Sequence, residues 1–405
     1  METQTQSTTG IYFNPWDKSF RDNPYPYYHA LHEGSPRIID LFGAPAVIVA
    51  RHADVTAILR DNARFSSVQN DNPEVRRRGV FRGAATMLFS DPPVQTRLRR
   101  LVSRDFTPRR IREMEPRIRE ITAKLLDDIE RKGSFDVMAD MANVLPVMVI
   151  AEMLGVPPEL YQTFKHWSDM IVAGGNTLPG QPIPDDVVAI IDDLRSYFLN
   201  EIEKRRTQPG PDLISALVAA HVDNEAMTAD ELLAFVVLLL LAGNETTTNL
   251  IGNGMLALGR NPDQMELLRR NPELDANAIE EMLRYDGPVQ ATSRRAIGDA
   301  VDIGGTVIPK GAECFILLAA ANHDPAQFPD PDRFDITRET RDHVAFGEGI
   351  HFCIGAPLAR LEGTIAIGES VRRFPKLHLY DPLAPLTYKG SYFLRGLQSL
   401  EMALE

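Results

Sequence analysis

The sequence predicts an α+β protein, predominantly α-helical, with a large helical part and a smaller β-rich part toward the C-terminal end. Three observations predict it. Between Asp91 and Tyr285, apolar residues recur near a 3.6-residue period in one segment after another. Short β-branched runs cut by Gly and Pro stand at 46–50 and again after Pro288. No Gly/Ser linker, low-complexity tract or repeat divides the 405 residues, so one domain is expected over 1–405, with residues 1–12 disordered.

Taken in order, AVIVA at 46–50 reads as a strand, and RLRRLVSRDF, RIREITAKLLDDIERK, VMVIAEMLG, AIIDDLRSYFLNEIEKRR and DLISALVAAH read as helices. Thr228 and Glu231 form the capping-box pair of a long central helix expected to reach Gly259. At 1.5 Å per residue its roughly 32 residues make a rod of about 48 Å. The first half, including LLAFVVLLLLAG from Leu232 to Gly243, is apolar on every face, which marks burial. That run is shorter than the roughly 20 residues that cross a bilayer. AVDIGG, TVIP and ECFILLAA are the expected late strands, with Cys314 in their core, and helix returns from Ala356 to about Arg373.

Composition narrows the function. Apolar residues are 44% and charged residues 24%, as in a folded soluble chain. A net charge of −13 disfavours attraction to nucleic acid or an anionic membrane. Two cysteines, Cys314 and Cys353, cannot build a disulfide framework or an all-thiolate zinc site, which suits a reducing compartment. The polar start METQTQSTTG lacks the basic and apolar regions of a signal peptide, so the cytoplasm is expected.

Two places carry chemistry. In the middle of the central helix, AGNETTT at 242–248 sets a carboxylate and hydroxyls into an apolar surface. Buried, Glu245 needs hydrogen bonds, a counter-charge or water; taken alone, it and Thr246 read first as an exposed turn of helix or a satisfied core polar pair. The second place is HVAFGEGIHFCIGAPLARLE at 343–362, with Phe346, Gly347, Gly349, His351, Cys353 and Gly355 spaced as FGxGxHxCxG ahead of a helix. Gly347 and Gly349 permit positive φ, and a cysteine before a helix N-terminus is expected to be held as thiolate by free amides and the dipole. One thiolate with no second cysteine nearby points to an axial ligand of heme iron rather than to zinc or an iron–sulfur cluster.

These residues resemble the heme-binding signature of the cytochrome P450 family without a gap, and the likeness runs from NPYPYY near Asn23 to RGL near the C-terminus. The resemblance implies the P450 fold around a buried heme b, soluble and bacterial in type, with Cys353 as the axial iron ligand. It matches Glu281, Arg284 and Arg333 to the family's Glu-Arg-Arg network, which braces the core behind the heme loop. It matches Arg99, Arg295 and His351 to the heme propionate contacts, with Gln95 where many members have His; a contact there is a neutral hydrogen bond.

The resemblance also gives AGNETTT a purpose: Glu245 and Thr246 match the acid–alcohol pair that relays protons over the distal face of the heme. Peroxide-driven members carry Arg-Pro at this point, so dioxygen with electrons from a redox partner is favoured. The partner implied is a ferredoxin or flavodoxin fed by an NAD(P)H-dependent reductase, docking near Arg104, Arg109, Arg110 and Arg360. Matched positions make Leu238, Leu241, Ala242, Ala291 and Phe393, with Phe81 and Met87, the walls of an apolar pocket. The implied reaction is monooxygenation of an apolar small molecule (terpenoid, steroid, fatty acyl or polyketide-like) by a monomer using neither membrane nor nucleic acid. Oxidative rearrangement or coupling, a peroxide-driven oxidation, and a non-catalytic heme sensor or carrier are the alternatives.

Overall fold

A computed structural model describes residues 14, 17–41, 44–68, 79–175, 184–222, 225–389 and 393–405; the expected disorder of 1–12 lies outside the described residues. The periodic segments form helices at Val94–Val102, Glu115–Lys132, Leu145–Met153, Asp185–Thr207 and Leu213–Ala219. Glu115–Lys132 shows why. Ile118, Ile121, Leu126 and Ile129 recur at three- and five-residue steps and are buried, and Gly133 at φ 72 ends the helix in the left-handed region.

The central helix starts at the predicted cap: Thr228 Oγ1 accepts from Glu231 N while the Glu231 carboxylate accepts from Thr228 N. It spans Ala229–Arg260, but not as a regular rod. An α-helical first part, Ala229–Leu239, gives way to a π-helical turn at Leu240–Asn244 and then to Glu245–Arg260. One expectation changes here. The whole helix is long and apolar enough to cross a membrane, and what makes it a core helix is that 72% of its most apolar window is buried inside the protein.

Five strands form the main sheet in the spatial order Arg37–Leu41, Ala44–Val49, Glu313–Ile316, Thr292–Ala296, Phe65–Ser66. Ala44–Val49 runs parallel to Glu313–Ile316, with Ala46 opposite Glu313 and Val49 opposite Ile316. Thr292–Ala296 lies antiparallel on its other side, with Arg294 opposite Cys314 and Arg295 opposite Glu313. Ala300–Ile303 and Thr306–Pro309 make a separate hairpin. The segment ECFILLAA divides: after Ile316 the chain turns into a short helix, Leu318–Asn322. Cys314 is buried, and burial pushes its thiol up to about 12, as a core cysteine requires.

Candidate active site

The Cys353 loop is closed by its own backbone. Cys353 N donates to Phe346 O at 2.9 Å, and Gly347 and Gly349 take φ of 69 and 68 to make the path possible. Gly349 is pressed on the helix His52–Arg60: a Cβ there would stand 2.6 Å from Leu59 O. The helix Ala356–Arg373 follows at once, and the amides of Gly355 and Ala356 point at the sulfur. Cys353 is exposed by surface area yet surrounded by protein; both hold for a sulfur lining an internal cleft. Burial is the dominant influence and pushes the thiol up, against the pull of the two amides, Arg99 and Arg360. The expectation that the loop alone keeps the sulfur anionic is therefore corrected. Two amides return less than the water they replace.

Phe346 is capped by the Arg360 guanidinium, 4.6 Å from the ring centroid. Arg360 also chelates Glu280 at 2.6 and 2.8 Å, and Glu280 accepts from His343 at 2.9 Å. Burial pushes the Glu280 carboxyl up, but these partners prevail and hold it near 2. Arg360 is thus spent on bracing the loop from behind. Arg104, Arg109 and Arg110 do face solvent, the latter two loosely paired with Glu113 at 3.7 and 3.3 Å.

At one edge of the loop three donors converge. Arg99 Nη1 donates to Ile350 O at 3.2 Å, His351 shares a 2.9 Å hydrogen bond with Ser67 Oγ, and burial together with the charges of Arg294 and Arg99 pushes the His351 ring down to about 4. The second arginine here is Arg294, not Arg295. Successive strand residues face opposite ways: Arg294 is buried, with its guanidinium pushed down to about 10 by burial, whereas Arg295 turns to Glu313 at 4.0 Å. Among the described residues neither Arg99 nor Arg294 has a carboxylate within ion-pair distance. Gln95 is buried and donates to Ile350 O at 2.7 Å, tying its helix to the loop.

Glu281 and Arg284 are fully buried and joined by two hydrogen bonds of 2.7 and 2.9 Å. Arg284 also donates to the carbonyls of Asn322 and Pro331 at 3.1 and 2.8 Å. The third side chain of this network is Arg338, 3.5 Å from Glu281, and not Arg333. Phe334 takes the inward position in that turn, so the Arg333 side chain is 68% exposed beside Asp335 and only its carbonyl reaches Arg284. Nothing in the spacing FPDPDRFDITR separates the two arginines.

Across from the loop, the π turn opens the central helix. Thr246 Oγ1 donates to Ala242 O at 2.6 Å, Asn244 Nδ2 donates to Ser168 Oγ at 2.7 Å, and Glu245 is buried. Ala242 is exposed and Thr246 half-buried although the turns on both sides are buried, as befits residues facing a cleft. Met87 and Leu238 line one cleft with Ala85 and Phe235. Ala291 packs with half-buried Phe393 in a second group, and Leu241 and Phe81 lie at the edge of the helical core.

The family model for cytochrome P450 matches residues 17–171 and 180–385. The chain belongs to the cytochrome P450 family. It is 41% identical over 389 residues to a vitamin D(3) 25-hydroxylase of Pseudonocardia autotrophica, with 95% of each chain covered. It is 40% identical over 403 residues to the 6-deoxyerythronolide B hydroxylase of Saccharopolyspora erythraea, covering 96% of this chain and 97% of that one. The solved structure of PksS, the cytochrome P450 of the Bacillus subtilis bacillaene polyketide synthase, superposes with a TM-score of 0.88 at 36% identity, over 97% and 100% of the two chains. This P450 is accordingly a monooxygenase with heme as its cofactor. The residues present fit that group: an accessible sulfur with two amides aimed at it, and beside His351 two arginines that, among the described residues, have no carboxylate within ion-pair distance.

Proposed function

We propose that this P450 hydroxylates a bulky apolar polycyclic or macrocyclic molecule, using dioxygen and electrons from a ferredoxin or flavodoxin served by an NAD(P)H-dependent reductase. Cys353 would ligate the heme iron, Arg99, Arg294 and His351 would hold the propionates, and Phe346, Gly347 and Gly355 would shape the loop. When bound, the heme supplies the binding and reductive activation of dioxygen. The rest is done by the chain. Apolar side chains including Met87, Leu238, Ala291 and Phe393 exclude water and orient the substrate.

Thr246 Oγ1 holds a proton at the cleft, anchored by its bond to Ala242 O, and Glu245, buried one residue away, replaces that proton from the protein side. This pair, set directly after the π turn, is the observation that carries the reading. The printed names of relatives that act on vitamin D(3) and 6-deoxyerythronolide B support the substrate class. Neither cysteine is in a disulfide, which suits action in the cytoplasm, and the whole chain is taken as one catalytic unit working as a monomer.

The test is turnover with a surrogate ferredoxin system and a panel of steroids and macrolactones, measuring product, NADPH and peroxide together. The wild type is expected to give a product carrying one oxygen atom from dioxygen. Thr246→Ala is expected to keep its heme and divert most electrons to peroxide. A threonine variant that couples electrons to product as well as the wild type refutes the relay.

A further inference from the structure

The C-terminal segment carries a lysine into the neighbourhood of Glu245 that none of the sequence motifs contains. Lys389 Nζ donates to Asn249 Oδ1 at 3.4 Å. Asn249 is fully buried and stands one helical turn beyond Glu245, on the same face of the central helix. The segment cannot drift away. Lys389 N donates to Gly396 O at 2.9 Å, and Gly396 is pressed so closely on Asn249 that a Cβ would stand 1.9 Å from Oδ1. Arg395, bound to Asp286 at 2.9 Å, stacks 3.8 Å from the ring centroid of Tyr388 and clamps the residue before the lysine.

The helix Tyr161–Gly175 closes the other side. Its Ser168 meets Asn244 of the π turn, and its Lys165 and Asp169 form a 2.6 Å ion pair facing solvent, 31% and 52% exposed. Burial pushes the Lys389 ammonium down; the strongest charge opposing this is Glu245, followed by Asp169, while Lys165 works against them.

We propose that Lys389 is a positioning residue for Glu245, its positive charge held by the C-terminal segment against the Asn249 turn of the central helix. This rests on Glu245 and Thr246 acting as the proton relay. In each cycle Glu245 passes its proton toward Thr246 and takes another from solvent. Lys389 keeps its own proton throughout and lowers the cost of the ionised interval, since a buried carboxylate without a compensating charge is expensive.

The test uses the heme-loaded full chain with the same electron donors. Lys389→Met keeps the stem and removes the charge. It is expected to lower kcat about three- to tenfold, a fraction of what a general acid contributes, with KM unchanged and the solvent deuterium isotope effect on kcat enlarged. Lys389→Arg is expected to restore most of the rate. If Lys389→Met does not retain heme, Lys389→Gln, which keeps a donor for Asn249 without charge, carries the same expectation. A neutral variant with the kcat and isotope effect of the wild type overturns the proposal, as does failure of the arginine variant to recover. The relay itself is judged separately: equal coupling in Thr246→Ala sinks the relay, whereas uncoupling there with no response at position 389 sinks only the lysine.

Discussion

Glu362 offers the sharpest stability test. It lies in the helix behind the heme loop, 2% exposed, and among the described residues its Oε2 has no hydrogen-bond partner. Its neighbour Gly363 is packed against Leu250 and Ile279, so this stretch of helix is enclosed by apolar groups. Burial alone pushes the carboxyl from its ordinary 4.5 up to about 8. The folded protein therefore binds a proton there that the unfolded chain releases above pH 4.5. Stability contributed by this group is full below about pH 4.5, declines as pH rises, and is gone above about pH 8. At 1.36 kcal/mol per pH unit the ceiling is about 5 kcal/mol, and the measured effect is expected at about 2–3 kcal/mol once local relaxation and water entry are allowed for.

Glu362→Gln removes the titration and keeps the shape. Urea unfolding of both heme-loaded proteins, followed by circular dichroism from pH 5 to pH 9, isolates this group because all other titrations cancel in the difference. The two are expected to agree within about 1 kcal/mol at pH 5, where the glutamate is a neutral acid. The glutamine variant is expected to be the more stable by about 2–3 kcal/mol at pH 9. A difference that stays flat across this range refutes the reasoning, because Glu362 then has the same proton affinity folded and unfolded.

Three further outcomes are expected. Glu281→Ala leaves the Arg284 and Arg338 charges buried and should cost about 3–5 kcal/mol, whereas Arg333→Ala, at an exposed side chain, should stay within about 0.5 kcal/mol; urea midpoints compare them. Gly396→Ala drives a methyl into Asn249 and should cost about 1–3 kcal/mol by the same assay. Arg294→Leu should release heme to apomyoglobin about tenfold faster or more, as loss of a charge-assisted hydrogen bond implies, while Arg295→Leu should leave that rate near the wild type. Equal rates for the two would return the propionate role to Arg295.

Much of this was legible because local rules decide it. Helical periodicity, the Thr228–Glu231 capping box and the glycines around Cys353 depend on neighbours within a few residues, and each appears where the pattern placed it. The strand Thr292–Ala296 was not legible, since TSRRA has neither apolar alternation nor a run of β-branched residues. It is a strand because Glu313–Ile316 and Phe65–Ser66 pair with it from both sides. The π turn was foreshadowed by polar residues in an apolar helix, but nothing local says that the helix widens rather than bends.

By itself the sequence determined the fold class, the Cys353 loop and the identity of the buried Glu281–Arg284 pair, because each is written in residue types at short, fixed spacing. The tertiary structure alone decided which of two adjacent or nearby arginines is turned inward: Arg294 over Arg295, and Arg338 over Arg333. It also brought Lys389 to the helix that carries Glu245, across 144 residues of chain. The physical reason is the same in each case. A charged side chain's role is set by which way the backbone turns it and by what distant segment removes the water around it, and neither is recorded in spacing.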